Sequence, residues 1–514
     1  MKEYDVVIVG SGLGGLACGV ILAKEGYKVC ILEKNKQIGG TLQTFVRKKV
    51  IFDSGVHYVG ALDEGQTLNK LFRYLGIMDK LKIHKLDEDC FDGIMFEGDP
   101  KTYRHAQGYD RFIKNLLDDF PDEEAALHKY CDTLKFICEK FPLYNLRNGD
   151  YFDKLSVLEW DTRTFIESIT TNKRLQNVLA GSTMLYAGMP YQTPLYVHAL
   201  VLNSYILSSY RFKEGGSQIA RHLAREITSR GGEIIKYARV SLLKEEDGLL
   251  QYAQTEDGQR YYGKRFISNL HPAKTMEITE SDLIKKAYRN RLSGIENSIS
   301  SFYLNAVVKK DTFPYVNSNY YYFTNDDAWS MVEYTPGNWP RGLAIFYSRS
   351  EKNPAYCNGV TLMTYMHYND VKKWENTYNI ESKEQFRGDD YEAFKQAWAE
   401  KLIDAADKRF PGLKDAIESY YVATPLTFRD YVGTDDGNLY GYLKDYRDPM
   451  KTLLSPRTKV PNLYLTGQNL NLHGVMGVTV SAVLTCSEIL GLDYLIGRIH
   501  GEAPVPSAEK EMKI

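Results

Sequence analysis

The sequence predicts an α/β protein: a Rossmann-like, nucleotide-binding sheet that carries an inserted α+β domain. Three stretches lead to that fold. Residues 4–33 read as strand, glycine loop, helix and second strand; residues 210–270 as a helix followed by a β meander; and residues 462–491 as a last strand, a glycine-bearing loop and an apolar helix.

The first stretch carries the most chemistry. YDVVIV (4–9) is a short β-branched run, GSGLGG (10–15) sets Gly10, Gly12 and Gly15 in the G-x-G-x-x-G spacing, and LACGVILAKEG continues as a helix that stops at Gly26. In such a unit Gly10 permits the tight turn, Gly12 lets the backbone approach a pyrophosphate, and Gly15 lets the helix pack closely on the sheet. The helix N-terminus then faces the phosphate charge. Ser11, Leu13 and Gly14 share the loop and are expected on the nucleotide with it. The second strand, KVCILE, ends at Glu33, which stands 18 residues beyond Gly15, near the distance of about 20 at which a carboxylate holds ribose hydroxyls. Lys34 follows it. Residues 6–23 carry no charge and have the length of a membrane span or a signal segment. Five glycines within them, and a pattern that continues without a cleavage-like boundary, make them a buried strand, a turn and a buried helix.

In the middle stretch a helix is expected over 217–230, ahead of Gly231 and Gly232, and D-G pairs at 247 and 257 punctuate short β segments before RFISN. In the last, LYLT meets Gly467 and Gln468, and a loop with Gly474 and Gly477 opens the apolar helix. Both ends of the chain therefore contribute to one nucleotide site. The nucleotide-binding domain is expected from residues 1–90, 210–295 and 425–500. An inserted domain takes 91–209, mostly helices, and 296–424, strands with a late helix, and 501–514 is a polar tail.

Composition narrows the function classes. Of 514 residues, 43% are apolar and 25% charged, and 64 basic against 66 acidic side chains leave a net charge of −2 with no block of like charges. Nothing in that balance recruits nucleic acid. Seven scattered cysteines without a C-x-x-C pair fit neither a disulfide framework nor a metal site. The 39 tyrosines suit large cavities or wet interfaces.

Gly39 and Gly40 after Glu33, leading into TLQTF, and the run NLYLTGQNLNLHGVMG resemble the FAD-binding fold of the amine oxidase and carotenoid desaturase superfamily. FDSGVHYVG (52–60), KEGGSQIA, ATPLTFRDYVGTDDGNLYGY and LTGQNLNLHGVMG together look like its retinol saturase (all-trans-retinol 13,14-reductase) and phytoene desaturase-like branch. The resemblance spans most of the chain and is most specific in the cofactor motifs. It implies bound FAD. The strand-end glycine, here Gly467, and its polar neighbour would hold the ribityl chain; Gln468 stands where many members carry Asp, and its amide still donates and accepts. Gly474, Val475, Met476 and Gly477 would bring the next helix to the flavin ring, with Gly40, Thr41, Gly55 and Val56 also on the cofactor and the backbone of Val240 against the adenine.

The same resemblance implies a redox enzyme acting on a long apolar isoprenoid or polyene. Saturation of a carbon–carbon double bond of a retinoid, carotenoid or related lipid is the leading reading. Desaturation or isomerisation is the alternative, amine oxidation is less favoured, and a flavin- or lipid-binding carrier is the non-enzymatic one. No second G-x-G-x-x-G unit is present for a nicotinamide cofactor, so the electron partner is a separate reductase, a quinone or oxygen. With no signal peptide or transmembrane helix the chain reads as cytoplasmic, and its substrate class implies peripheral contact with a membrane.

Hydrogenating a C=C bond needs a hydride from the cofactor and a proton from the protein or from water. His57 and His473 are two of only ten histidines and fall on loops that the resemblance brings to one ring, so with Tyr58 they are the candidate proton donors. Either imidazole serves equally as a partner for a backbone carbonyl that shapes the cavity. Asp53 reads as a turn cap, His271 before Pro272 as a turn residue, and Arg429 and Tyr440 as packing or substrate-orienting residues. Residues 178–210, apolar with one histidine, read either as a channel wall or as buried helices.

Overall fold

The computed structural model describes residues 3–381 and 383–502, so residues 503–514 of the polar tail lie outside it. Its first strand, Glu3–Val9, lies inside an eight-stranded sheet. The flanking strands Val29–Leu32 and Arg260–Ser268 both run parallel to it, with Ile8 opposite Ile31 and Ile267. Glu233–Ile235 extends the sheet beyond Val29–Leu32, and Leu463–Leu465 runs parallel to the end of Arg260–Ser268. The hairpin of Val240–Glu246 and Leu249–Thr255 adds the antiparallel edge, turning through Gly248 at φ 84°.

The alternation in the first strand explains the layers. Val6 and Ile8 enter one buried cluster and Val7 and Val9 another, because successive side chains leave a strand on opposite faces. Helix Leu13–Lys24 covers the first of these faces, and helix Gly474–Leu490 packs on it. Both are apolar on nearly every side, as helices buried within a layered core must be. The uncharged run 6–23 is therefore a strand, a loop and a helix. No helix among the described residues is long and apolar enough to cross a membrane. The helix expected over 217–230 spans Ser217–Thr228, and the second strand stops at Leu32, leaving Glu33 at the start of a loop.

A second sheet has seven strands, ordered Ile417–Ala423, Ser300–Val308, Cys357–Met366, Gly342–Arg349, Asn319–Phe323, Asp92–Phe96 and Tyr103–His105. It too is buried on both faces. Phe302, Leu304, Tyr322, Ile345 and Leu362 join Trp398, Leu402 and Ala406 of helix Asp389–Arg409, while Tyr303, Tyr321, Phe346 and Met363 face the other way. Opposite that second face runs helix Leu195–Leu207. The fold is α/β, a Rossmann-like sheet with a second, mostly antiparallel sheet beside it.

The tightest contact in the first unit is between loop and helix. A Cβ on Gly15 would stand 2.1 Å from the carbonyl oxygen of Gly10, far inside van der Waals contact. Gly15→Ala is expected to cost about 2 kcal/mol or more and to open the nucleotide loop. Denaturant unfolding and cofactor content of the purified variant check both.

Candidate active site

A groove of about 200 Å³ opens where the parallel strands end, at Val9, Leu32, Asn269 and Thr466. Ligands of open α/β sheets bind in this position, at the carboxyl ends of the strands. Helix Leu13–Lys24 begins in the groove, and its N-cap Gly12 makes no side-chain capping bond, so the positive end of the helix faces the groove without a side chain to satisfy it. Cβ atoms on Gly12, Gly14 and Gly467 would lie 2.7, 2.5 and 2.8 Å from the carboxamide of Asn269. These three glycines, drawn from both ends of the chain, make a slot that admits backbone and little else.

Glu33 is buried beside the loop. Its Oε2 accepts from Ser11 N at 3.1 Å and from the Ser11 hydroxyl, and its Oε1 accepts from Asn35 N at 2.8 Å. Three of the carboxylate's roughly four acceptor positions are taken by the chain, which fixes its plane and leaves room for a ribose hydroxyl. Lys34 Nζ donates to the carbonyl of Asp430 at 2.8 Å, and burial, with Arg239 nearby, lowers its pKa to about 8. Gln468 can donate to Leu439 O at 3.3 Å and accept from Gly441 N at 3.2 Å. The groove thus collects Gly10, Ser11, Gly12, Leu13, Gly14, Glu33, Lys34, Gly40, Thr41, Val240, Gly467 and Gln468, with Gly15 packed beneath them. The slot, the uncapped helix and the fixed carboxylate fit a dinucleotide. His271, read as a turn residue, also lines this groove: it precedes helix Pro272–Ile278, and its Nε2 lies 3.0 Å from Asn297 Oδ1.

A second cavity, of about 110 Å³, adjoins the groove. Thr41 of the groove and Gly55 of the cavity touch, since a Cβ on Gly55 would come within 3.1 Å of Thr41 Cβ. Residues 55–60 and 472–477 form part of the wall, Tyr303, Tyr321, Phe346 and Met363 of the second sheet another, and Leu200, Val201, Ser204 and Tyr205 a third. The two readings of residues 178–210 are both met, because one face of helix Leu195–Leu207 lines the cavity while Leu195, Ala199, Leu202 and Ile206 pack in the core. No aspartate, glutamate, lysine or arginine is among the described residues of this lining.

His57 stacks on Phe346, with ring centroids 4.2 Å apart and planes 9° from parallel. Its Nε2 is sealed from solvent without a hydrogen-bond partner, and burial drives its pKa down to about 3. His473 donates from Nε2 to Leu185 O at 3.0 Å and rests 4.6 Å from the Tyr440 ring, its pKa lowered by burial to about 4. Both imidazoles are neutral at neutral pH and hold no imidazolium proton. The Tyr58 hydroxyl is 2.7 Å from Asp92 Oδ2 and 2.7 Å from the Tyr321 hydroxyl. Asp53 does not cap its own turn: its Oδ1 accepts from the distant Gly216 N at 2.7 Å, joining the strand Val50–Asp53 to the head of helix Ser217–Thr228, and burial raises its pKa to about 7. Tyr440 lines the cavity and donates to Met184 O at 2.9 Å, whereas Arg429 joins Arg387 around the buried Asp430. Asn269, Asp92, Tyr321 and Phe346 escape a reading of the sequence, because only the sheet register brings them to the site.

Residues 8–75 match the family model of an NAD(P)-binding Rossmann-like domain. The all-trans-retinol 13,14-reductase of Rattus norvegicus is 28% identical over 95% of this chain and 86% of its own. This chain resembles the all-trans-retinol 13,14-reductases over nearly its whole length. Prolycopene isomerase 1 of an Oncidium hybrid cultivar is 24% identical over 99% of this chain and 86% of its own. Among solved structures, a redesigned putrescine oxidase superposes with a TM-score of 0.65 at 13% identity, covering 95% of this chain and 99% of that one, and so shares the fold.

His473 carries a consequence for stability. It titrates at about 4 in the fold, against about 6.5 for a free imidazole, so the unfolded chain takes up the proton first as pH falls and the fold loses stability below 6.5. From pH 7 to pH 5 one such group costs about 2 kcal/mol. His473→Gln, which keeps a donor for Leu185, is expected to remove that increment, read as a smaller difference between denaturant unfolding at the two pH values.

Proposed function

We propose that this chain is an FAD-dependent oxidoreductase that saturates a carbon–carbon double bond of a retinoid, carotenoid or related isoprenoid lipid. The observation that carries the reading is the second cavity, walled largely by aromatic and aliphatic side chains without a fixed charge and lying beside the nucleotide groove. Full-length relatives named all-trans-retinol 13,14-reductase and prolycopene isomerase support it.

In this reading residues 1–90, 210–295 and 425–500 bind the cofactor, and 91–209 with 296–424 enclose the substrate. The glycine loop and helix N-terminus hold the pyrophosphate, Glu33 a ribose hydroxyl, and Gln468 the ribityl chain. When bound, reduced flavin supplies the hydride for one carbon of the double bond, replenished by a separate electron donor. Stacked rings such as His57 on Phe346 clamp the polyene and exclude water, and the neutral His57 and His473 orient rather than protonate. An amine is disfavoured, since it would enter as an ammonium ion and find no carboxylate in the wall. The substrate is collected by peripheral contact with a membrane.

Purified protein is expected to carry a flavin spectrum. Anaerobic incubation of the reduced protein with retinol, phytoene and a polyunsaturated lipid, followed by mass measurement, is expected to add two hydrogens to one of them. Loss of two hydrogens, or a shifted retention at unchanged mass, would replace saturation with desaturation or isomerisation. A colourless protein would sink the cofactor assignment.

A further inference from the structure

Asp92, Tyr58 and Tyr321 form a short chain of hydrogen bonds that ends in the cavity. Tyr58 stands in the middle, 2.7 Å from Asp92 Oδ2 and 2.7 Å from the Tyr321 hydroxyl. Asp92 is fully buried behind the wall, while both tyrosines are part of it. Its other oxygen accepts from Asn319 Nδ2 at 3.0 Å, and Asn319 Oδ1 accepts from Arg211 at 2.7 Å.

The direction of this chain depends on one proton. An ionised Asp92 can only accept, so Tyr58 donates to it and Tyr321 donates to Tyr58, which aims both hydrogens away from the substrate. A protonated Asp92 donates to Tyr58, Tyr58 donates to Tyr321, and the Tyr321 hydrogen is left for the cavity. The groups packed around Asp92 from other elements are Tyr58, Tyr205, Tyr321, Cys90, His105 and Arg211. Burial keeps the tyrosines and Cys90 protonated and His105 neutral, so Arg211, one residue removed through Asn319, is the only charge among these groups. Burial raises the Asp92 carboxyl to about 7, against which its bonds to Asn319 and Tyr58 and the Arg211 charge work, so both directions are populated near neutrality.

We infer that Tyr321 is the catalytic proton donor of the reduction and that Asp92, acting through Tyr58, is the positioning acid that reloads it. The inference rests on the proposed saturation and deepens it. The π bond of the substrate breaks; one carbon gains the hydride of the reduced flavin and the other forms a C–H bond with the proton leaving Tyr321. The tyrosinate takes a proton from Tyr58, Tyr58 takes one from Asp92, and Asp92 is reprotonated from solvent, so one hydride and one proton are consumed per double bond.

Two measurements test it. In anaerobic reoxidation of the reduced flavoprotein by its polyene, the parent rate should be high below pH 7 and fall above it, as Asp92 ionises. Tyr321→Phe should slow that rate by about 100-fold or more with flavin content unchanged, and Asp92→Asn and Tyr58→Phe should abolish the alkaline fall. Independently of turnover, infrared titration should show a carboxylic acid C=O band that disappears near neutral pH in the parent and is missing in Asp92→Asn. A Tyr321→Phe rate within about twofold of the parent, an alkaline fall that survives in Asp92→Asn, or the absence of that band overturns the relay while the function stands. If no polyene reoxidises the parent flavin, the proposed function fails, and the donor role with it.

Discussion

The carboxylate of Glu33 holds the glycine loop in place, and the rest of the site is built from that loop. By accepting from both the backbone and the hydroxyl of Ser11 and from the backbone of Asn35, it ties the end of the second strand to the turn after the first. Ser11 passes the constraint on, since Gly39 N donates to its carbonyl oxygen at 3.0 Å. The loop so fixed starts helix Leu13–Lys24, and Gly474–Leu490 packs on that helix, which sets where residues 472–477 meet the second cavity. A short local network thereby positions a wall supplied by residues more than 400 positions further along the chain.

Burial governs the electrostatics of the second cavity more than pairing does. His57 and His473 are kept neutral, Asp53 and Asp92 are raised to about 7, and Lys444, close to His473, is lowered to about 7. Each shift favours the uncharged form, as desolvation requires. Where polar atoms around the cavity find partners they do so through neutral hydrogen bonds, such as His473 to Leu185 O and Tyr440 to Met184 O, while His57 Nε2 has none.

The parts of the site that could be read from the sequence are those whose chemistry depends on local spacing. Gly10 to Gly15, Glu33 and the loop from Gly467 to Gly477 announce themselves because a tight turn, a helix start and a strand end each demand particular residues within a few positions. Asp92 lies in CFDGIMF, where no local spacing marks it; only its place in a strand paired with Asn319–Phe323 brings it to Asn319, and the fold then brings it to Tyr58. Tyr321 lies in NYYYF, where alternation separates it from Tyr320 and Tyr322 but does not say which face meets the cavity. The surroundings that seal His57 from solvent and lower its pKa depend on Phe346 and Tyr303 from strands far away in sequence.

The scaffold itself does not select the substrate, since a putrescine oxidase shares it. In the proposed function, selection falls to the wall. An ammonium ion is best compensated by a carboxylate and gains less from aromatic faces alone, whereas a polyene asks only for apolar surface and flat rings. Asp53 and Asp92 are absent from the lining, and their oxygens are engaged by Gly216 N, Tyr58 and Asn319. Burial raises both to about 7, so each is far less ionised near neutral pH than an exposed carboxylate. With both acids turned into the protein, the lining offers rings and apolar side chains and no fixed charge, which suits the uncharged lipid of the proposed function.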